Sequence, residues 1–438
     1  MTAPGQRIRV MVVDDSAVIR KIISSTLLRE EDLEVVGTAA SGKEAIARFA
    51  ELNPDVVTLD IEMPEMNGIE AVSHLRKLDP LVPIIMFSTL TESGGKATLD
   101  ALSMGATDYV TKPSNSANIE ASKEIITTTL VAKIRVLGAK KQSAKSSFSS
   151  SPFVSPTKRP TSNSTSLPLS GDKANSGGQS QAIVNHQVSS SPEPRTSSAG
   201  GAIAYRAPMA RTKPPAVVVI GISTGGPNAL SEVIPVLPAN LGSPIVIVQH
   251  MPATFTRLLA ERLDSKSRVK VREAIGGEIL GPGEVYIAPG EHHLVINSNA
   301  RGDLVLALDE SPPVNSCRPA VDVLFRSAVK FGSRVTALVM TGMGQDGLIG
   351  AKELKAAGAE IVTQDEATSV VWGMPGYVTH AGIADHVLPL GSIAEFIIKR
   401  TSSIAMSSLS SVSAAKPLVG ASSNPGPAQG EIGGQKWR

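Results

Sequence analysis

Residues 9–15, RVMVVDD, decide how the first part of this chain is read. An apolar run, three of its residues β-branched valines, ends in two carboxylates, Asp14 and Asp15. Such a run suits a strand buried on both faces, with its charge placed where the chain leaves the sheet. SAVIRKIISSTLL (16–28) follows with helical spacing of its apolar residues. The alternation then repeats. Val35 and Val36 mark a second strand, SGKEAIARFAEL (41–52) a helix, and DVVTLD (55–60), PIIMFST (83–89) and DYVTKP (108–113) three further strands. Strands alternating with helices predict a parallel sheet covered on both faces.

In that architecture ligands bind outside the carboxyl ends of the strands. Asp14 and Asp15 end the first strand, Asp60 the third, Ser88 the fourth and Lys112 the fifth. Three carboxylates, a hydroxyl and an ammonium are thereby brought to one crevice. Clustered carboxylates repel and call for a cation, and an oxygen-only set favours Mg²⁺, which also bridges phosphate oxygens. A central carboxylate can act as a nucleophile and become an acyl phosphate. Lys112 would pair with the added charge. Taken singly, Asp14 or Asp15 could instead cap the following helix.

Composition bounds the rest. The 438 residues are enough for two or three domains; 42% are hydrophobic and only 3% aromatic, which suits α/β layers packed with aliphatic side chains. A net charge of +2 gives no reason to expect nucleic acid as a partner. The single cysteine, Cys317, excludes an intramolecular disulfide and fits a reducing cytoplasm. No apolar run approaches the roughly 18 residues of a membrane span, so no membrane insertion is expected. Four segments are expected: a first domain over 7–137, a linker over 138–213, a second domain over 214–400 and a flexible tail over 401–438. SSFSSSPFVSPTKRP (146–160) and SSSPEPRTSSAGG (189–201) have no apolar period and predict disorder. A flexible coil of about 75 residues spans roughly 50 Å, so such a linker tethers without fixing geometry.

The second domain opens on AVVVIG (216–221), a strand that runs into Gly221-Ile222-Ser223-Thr224-Gly225-Gly226 and a helix. This is G-x-S-x-G in the strand-to-helix context where the motif has meaning. PIVIVQH (244–250) ends at His250, and RVTALVMTG (334–342) leads into a glycine-rich loop holding Asp346. Nucleophile, general base and orienting carboxylate thus all fall at strand ends, a complete set for acyl transfer. The order Ser, His, Asp differs from that of the α/β-hydrolases. Each member also has a plainer reading: an anion-binding turn for Ser223, a structural histidine for His250, a helix cap for Asp346. His292 and His293 lie in a strand pattern that points one inward and one outward. Cys317 could serve as a nucleophile beside a histidine, although a small buried thiol is commoner. No paired Cys/His spacing or H-E-x-x-H indicates zinc.

VVDDS (12–16), LDIEMPEMNG (59–68), FST (87–89) and TKP (111–113) resemble the response-regulator receiver domain. The resemblance implies phosphorylation of Asp60 by a chemotaxis histidine kinase, with Asp15, Asp60 and the backbone of Glu62 holding Mg²⁺ and Asp14 supporting the site. Ser88 and Tyr109 match the positions that shift on activation. IGISTGGP (220–227), QHMP (249–252), YIAPG (286–290), RPAVDVLF (318–325), TGMGQDG (341–347) and VWGMP (371–375) resemble the chemotaxis protein-glutamate methylesterase catalytic domain. That implies Ser223 as nucleophile, His250 as base, Asp346 as its partner, a backbone N–H of Met343 in the oxyanion hole, and no cofactor in the hydrolase. The expected fold is α/β: two doubly wound parallel-sheet domains, a flavodoxin-like receiver and a Rossmann-like serine hydrolase, joined by a long disordered linker. The expected function is phosphorylation-activated demethylation of methyl-accepting chemoreceptors, with deamidation of receptor glutamines, in chemotaxis. The rivals are a receiver-regulated esterase of small molecules and a phospho-dependent adaptor without turnover.

Overall fold

The structure, a computed structural model, describes residues 7–112, 123–149 and 214–402. The linker expected over 138–213 therefore falls mostly outside the described residues, as does most of the tail.

Two parallel sheets carry the fold. The first has β1 (Ile8–Val13), β2 (Leu33–Ala39), β3 (Val56–Asp60), β4 (Ile84–Ser88) and β5 (Asp108–Thr111), in the order β2-β1-β3-β4-β5. All its pairings are parallel, and the chain reverses direction between β1 and β3, the flavodoxin-like switch point. Side chains set the helix starts here. Ser16, Ser41, Asn67 and Thr91 each accept a backbone N–H at the first turn of the helix that follows. Glu44 reaches back past the cap and accepts the N–H of Ala40 at 2.7 Å, which adds a second side-chain tie at this helix start.

The second sheet has seven parallel strands, β6 (Val217–Ile222), β7 (Ile245–Gln249), β8 (Lys270–Glu273), β9 (Glu284–Ile287), β12 (Val335–Val339), β13 (Glu360–Gln364) and β14 (His386–Leu388). Their order is β14-β13-β12-β6-β7-β9-β8. The chain starts at the centre with β6, builds outward through β7, then returns to the other side of β6 with β12. That reversal opens a crevice at the carboxyl ends of β6, β7 and β12. In the chain between β9 and β12 comes a separate antiparallel hairpin, β10 (His293–Ser298) with β11 (Leu304–Asp309), which the strand-and-helix reading did not anticipate. Two helix starts differ from those of the first sheet. Gly226–Val233 and Leu348–Ala356 begin after glycines at φ +78° and +93°, without a side-chain cap. Their first turns are closed by the protein instead: Gly226 N donates to the Ser223 carbonyl at 2.8 Å, Leu348 N to the Gln345 carbonyl at 3.0 Å and Gly350 N to Asp322 Oδ1 at 2.7 Å.

The first sheet's last helix runs on past Leu137. A π turn over Ile126–Leu130 leads into the helix Val131–Ser149. Beyond the expected boundary its low-complexity sequence is held by tertiary contacts: Lys141 to Asp79, and Gln142 and Lys145 to Asp55.

The two halves are packed together. Arg262 bonds Asp100 at 2.6 Å, Asn228 donates to the Ala106 carbonyl at 2.9 Å, and Lys140 donates to the Ser369 carbonyl. Among the described residues no helix is long and apolar enough to cross a membrane.

Candidate functional site

Two sites lie at the predicted strand ends. At the first, Asp14 is fully buried, Asp60 nearly so and Asp15 exposed. The Lys112 ammonium stands 3.0 Å from Asp14 Oδ2 and 2.8 Å from Asp60 Oδ2. Asp60 Oδ1 accepts the Ile61 N–H at 2.7 Å and Asp14 Oδ1 that of Ser16 at 2.9 Å. Asp14 Oδ2 is buried without a well-directed hydrogen bond, although Lys112 is near. Burial raises Asp60, Lys112 opposes and Asp14 reinforces, which leaves its carboxyl at about 6. Burial likewise raises Asp14 against the pull of Lys112. Donor atoms of Asp14, Asp15 and Asp60 all lie within 4.8 Å of one another. Two buried carboxylates share one ammonium, so the set has room for a hard cation.

The remaining first-site residues are placed unequally. Glu62 lies two residues past Asp60 with an exposed side chain. The Ser88 hydroxyl is turned toward the helix Glu92–Ser103, 2.6 Å from Thr98 Oγ1 and 3.3 Å from the Gly94 carbonyl. Tyr109 is nearly buried and lies at the edge of the second site's cavity. Its ring stacks on Phe255 of the second half, centroids 4.9 Å apart.

The second site is a cavity of about 330 Å³, and both halves line it: Ser223, His250, Cys317 and Met343 on one side, Thr128 and Lys133 on the other. Ser223 leaves the end of β6, its N–H bonded to the Thr341 carbonyl at 3.0 Å. Gly342 approaches so closely that a Cβ there would lie 2.9 Å from Ser223 Cβ and 2.3 Å from Met374 Sδ. The glycine is thus required by close approach. His250 Nε2 lies 2.9 Å from Asp346 Oδ2, and Nδ1 lies 3.6 Å from Cys317 Sγ. Among the described residues the Ser223 hydroxyl makes no hydrogen bond to the ring, although both line the cavity.

Asp346 is heavily supported. Oδ1 accepts from Asn315 Nδ2 at 2.9 Å, Asp322 N at 3.0 Å and Gly347 N at 3.0 Å; Oδ2 accepts from Val321 N at 2.6 Å. Two of these donors open the helix Val321–Ala328, whose N-terminus favours negative charge. Burial alone would raise Asp346, but His250 and these N–H groups hold it below the usual carboxylate range. Burial alone would lower His250, yet Asp346 and Cys317 hold it up at about 9. Met343 lies between Gly342 and Gly344, the latter at φ +77°. Its N–H has no protein acceptor among the described residues.

A profile described as CheB methylesterase matches residues 218–397, and one described as response regulator receiver domain matches residues 10–123. A protein of Trichodesmium erythraeum named protein-glutamate methylesterase/protein-glutamine glutaminase is 39% identical over 395 residues, which cover 90% of this chain and 99% of that one. The chain belongs to the protein-glutamate methylesterase/protein-glutamine glutaminase family. A second protein of that name, from Nocardioides sp., is 45% identical over 399 residues, 91% of this chain and 96% of its own. The crystal structure of the Thermotoga maritima CheB methylesterase catalytic domain is 47% identical, covers 42% of this chain and 98% of its own, and has a TM-score of 0.41.

In this methylesterase-family chain two supporting residues were not legible as such. Gln249 donates to the carbonyls of Ser223 (3.1 Å) and His250 (3.4 Å), and so ties two strand ends together. Its place beside His250 in QHMP was the available signal. Asn315 bridges Asp346 and Asp322 from a left-handed backbone at φ +53°. Cys317, expected to be a small buried thiol, is instead partly exposed in the cavity beside the imidazole. His293 is fully buried, its ring bonded to Ala320 N and the Pro312 carbonyl, and His292 is partly exposed.

Proposed function

We propose that this chain hydrolyses glutamate methyl esters on chemoreceptors, deamidates receptor glutamines with the same residues, and is switched on by phosphorylation of Asp60. The observation that carries this reading is the His250–Asp346 pair, whose ring edges a cavity shared with Ser223 and lined on its other side by the receiver half. The names of its relatives supply the substrate class.

Ser223 Oγ attacks the γ-carbonyl carbon and passes its proton to His250 Nδ1, the ring nitrogen that Asp346 does not hold. The oxyanion meets the unpaired N–H of Met343, a kind of donor commonly worth about 3–4 kcal/mol. The carbon–oxygen bond to methoxide breaks as Nδ1 returns the proton, and methanol leaves. Water, deprotonated by the same nitrogen, then cleaves the acyl-serine. With a glutamine substrate the leaving group is ammonia and nothing else changes.

Control begins at Asp60. Its oxygen takes a phosphoryl group from a kinase phosphohistidine: a phosphorus–nitrogen bond breaks and a phosphorus–oxygen bond forms. Asp14, Asp15, Asp60 and the backbone of Glu62 would hold Mg²⁺, and Asp14 Oδ2, buried beside Lys112 without a well-directed hydrogen bond, fits that role. When bound, the cation offsets charge on the phosphoryl oxygens. Lys112 pairs with the phosphate, Ser88 and Tyr109 rearrange, and the roof lifts. The shift cannot exceed the phosphate's differential stabilisation of the two states.

The test is methanol release from methylated chemoreceptor membranes by wild type and Ser223→Ala, with and without acetyl phosphate. Release that depends on Ser223 and rises with phosphodonor supports the reading. Release that persists in Ser223→Ala overturns it.

A further inference from the structure

We propose that His250 Nδ1 and Cys317 Sγ together bind a soft divalent cation of the zinc class, which shuts the hydrolase down reversibly. The inhibition, though not the binding, rests on the assignment of His250 as the base.

The geometry carries it. Zinc–nitrogen bonds of about 2.0–2.1 Å and zinc–sulfur bonds of about 2.3 Å, at a tetrahedral angle, set the two donor atoms roughly 3.6 Å apart. The observed separation of Nδ1 and Sγ is 3.6 Å. The chelate bite is therefore already present.

The second observation lies on the far side of the ring. Nε2 is tied to Asp346 Oδ2 at 2.9 Å. A carboxylate on the outer nitrogen of a metal-binding histidine fixes the ring orientation, leaves the inner nitrogen facing Cys317, and makes the ligand more basic. Asn315 and the N–H groups of Val321, Asp322 and Gly347 hold that carboxylate in turn. Few rearrangements are then needed before a cation binds. The cavity leaves space for water to fill the other positions, with Ser223 at its edge. The one roof ammonium there, Lys133, is neutralised by Asp108.

Donor chemistry separates this site from the acidic pocket. A thiolate and an imidazole select zinc-like ions, whereas carboxylates select magnesium. On binding, the Sγ–H bond breaks and any proton on His250 Nδ1 is lost as well, both going to solvent, so affinity rises with pH. The Nδ1 lone pair is donated to the cation and can no longer accept the Ser223 proton. His250 and Cys317 are 67 residues apart in the chain, which is why no spacing motif shows the site.

The test uses the full chain in excess Mg²⁺, which keeps the acidic pocket out of the readout. Titration with Co²⁺ should give a near-ultraviolet thiolate-to-cobalt band that saturates at one equivalent, and Zn²⁺ should abolish it. Losing an outer-shell partner alone costs about 10–100-fold in metal affinity. Cys317→Ala should therefore lose the band and need at least about 100-fold more Zn²⁺ for half-inhibition of methanol release. Because Cys317 is the chain's single cysteine, reversible blocking with a methanethiosulfonate tests the folded wild type directly. Blocking should remove the band, and reductant should restore it. Absence of the band, or equal Zn²⁺ sensitivity in wild type and Cys317→Ala, overturns the proposal. A metal-free wild type that shows the band with cobalt but releases no methanol upholds the chelate and sinks the hydrolase reading instead.

Discussion

Tyr109 and Phe255 lie ring on ring, with planes 6° from parallel, on opposite sides of the junction between the two sheets. Tyr109 is the receiver's expected switch residue, and Phe255 belongs to the helix Ala253–Lys266, which starts just after His250 and Pro252. A rearrangement of one ring is felt directly beside the hydrolytic site.

That contact should set part of the resting inhibition. A stacked aromatic pair is worth about 0.5–1.5 kcal/mol beyond its buried area, so Tyr109→Ala should raise methanol release without phosphodonor by about 2–10-fold. Tyr109→Phe keeps the ring and should stay within about twofold of wild type. Unchanged basal release in Tyr109→Ala would remove the ring pair from the switch.

Shape and charge at the same junction should count differently. A Cβ on Gly95 would lie 2.7 Å from Leu258 Cδ1, the movable end of a side chain. Gly95→Ala should therefore be absorbed, whereas Gly95→Val should wedge the halves apart and raise basal release several-fold. The Arg262–Asp100 pair is partly exposed, and such pairs contribute about 0–1 kcal/mol. Arg262→Ala should raise basal release by no more than about fivefold, and high salt should erase the difference. A larger effect for Arg262→Ala than for Gly95→Val would contradict this ranking.

Asn315 should matter through Asp346. It keeps two carboxylates bridged, and burial already raises Asp322. Asn315→Ala leaves Asp346 Oδ1 short of a donor and should lower kcat about 10–100-fold with little change in KM, as outer-shell losses do. The pH profile should shift as well, because the charge that supports His250 is disturbed. A change confined to KM would indicate a role in substrate contact.

Turnover should climb with pH. Burial pulls His250 down, but Asp346 and Cys317 hold it at about 9, and the ring must be neutral to take a proton from Ser223. The kcat/KM of phosphodonor-activated enzyme should thus rise between pH ~6.5, the ordinary histidine value, and about 9. The stability linkage has the opposite sign. The folded state binds this proton more tightly than the unfolded chain, so the pair stabilises fully below pH ~6.5 and its contribution is lost as pH rises through about 9. Cys317→Ala should move the kinetic midpoint down. A profile flat across this range would rule out His250 as the titrating base.

Asp60 should be a liability until it meets a cation. Its folded value, about 6, lies above the ordinary ~3.9, so the folded state binds this proton more tightly too. Here the stabilisation is present below pH ~4 and is lost as pH rises through about 6, which leaves a net cost at neutral pH. Asp60→Asn should raise the Tm of the metal-free protein at pH 7.5 by a few degrees. The gap should close on adding Mg²⁺, which only the wild type can use fully. An Asp60→Asn protein less stable than metal-free wild type would refute the sign.

Much of this was legible because strand ends are legible. The valine-rich runs, their turn signals and the polar residues that close them placed Asp14, Asp60, Lys112, Ser223, His250 and Asp346 without reference to any contact. What escaped depended on partners far along the chain. The helix through Ser149 has little apolar periodicity past Leu137 and is held by Asp55 and Asp79. The β10–β11 hairpin interrupts an alternation that otherwise suggested only parallel strands. Asn315 and Cys317 sit in an irregular loop, where period carries no information and only tertiary packing decides which way a side chain points.

The cavity over Ser223 has walls from both halves, and this has a pharmacological consequence. A compound selected against the closed chain would touch Thr128 and Lys133 as well as His250, and would act as a glue that holds the enzyme off. A compound selected against the catalytic half alone would compete with substrate and would have to displace the roof first. The two screens would yield different chemistries, and only the first would produce ligands whose grip weakens as the signalling input rises.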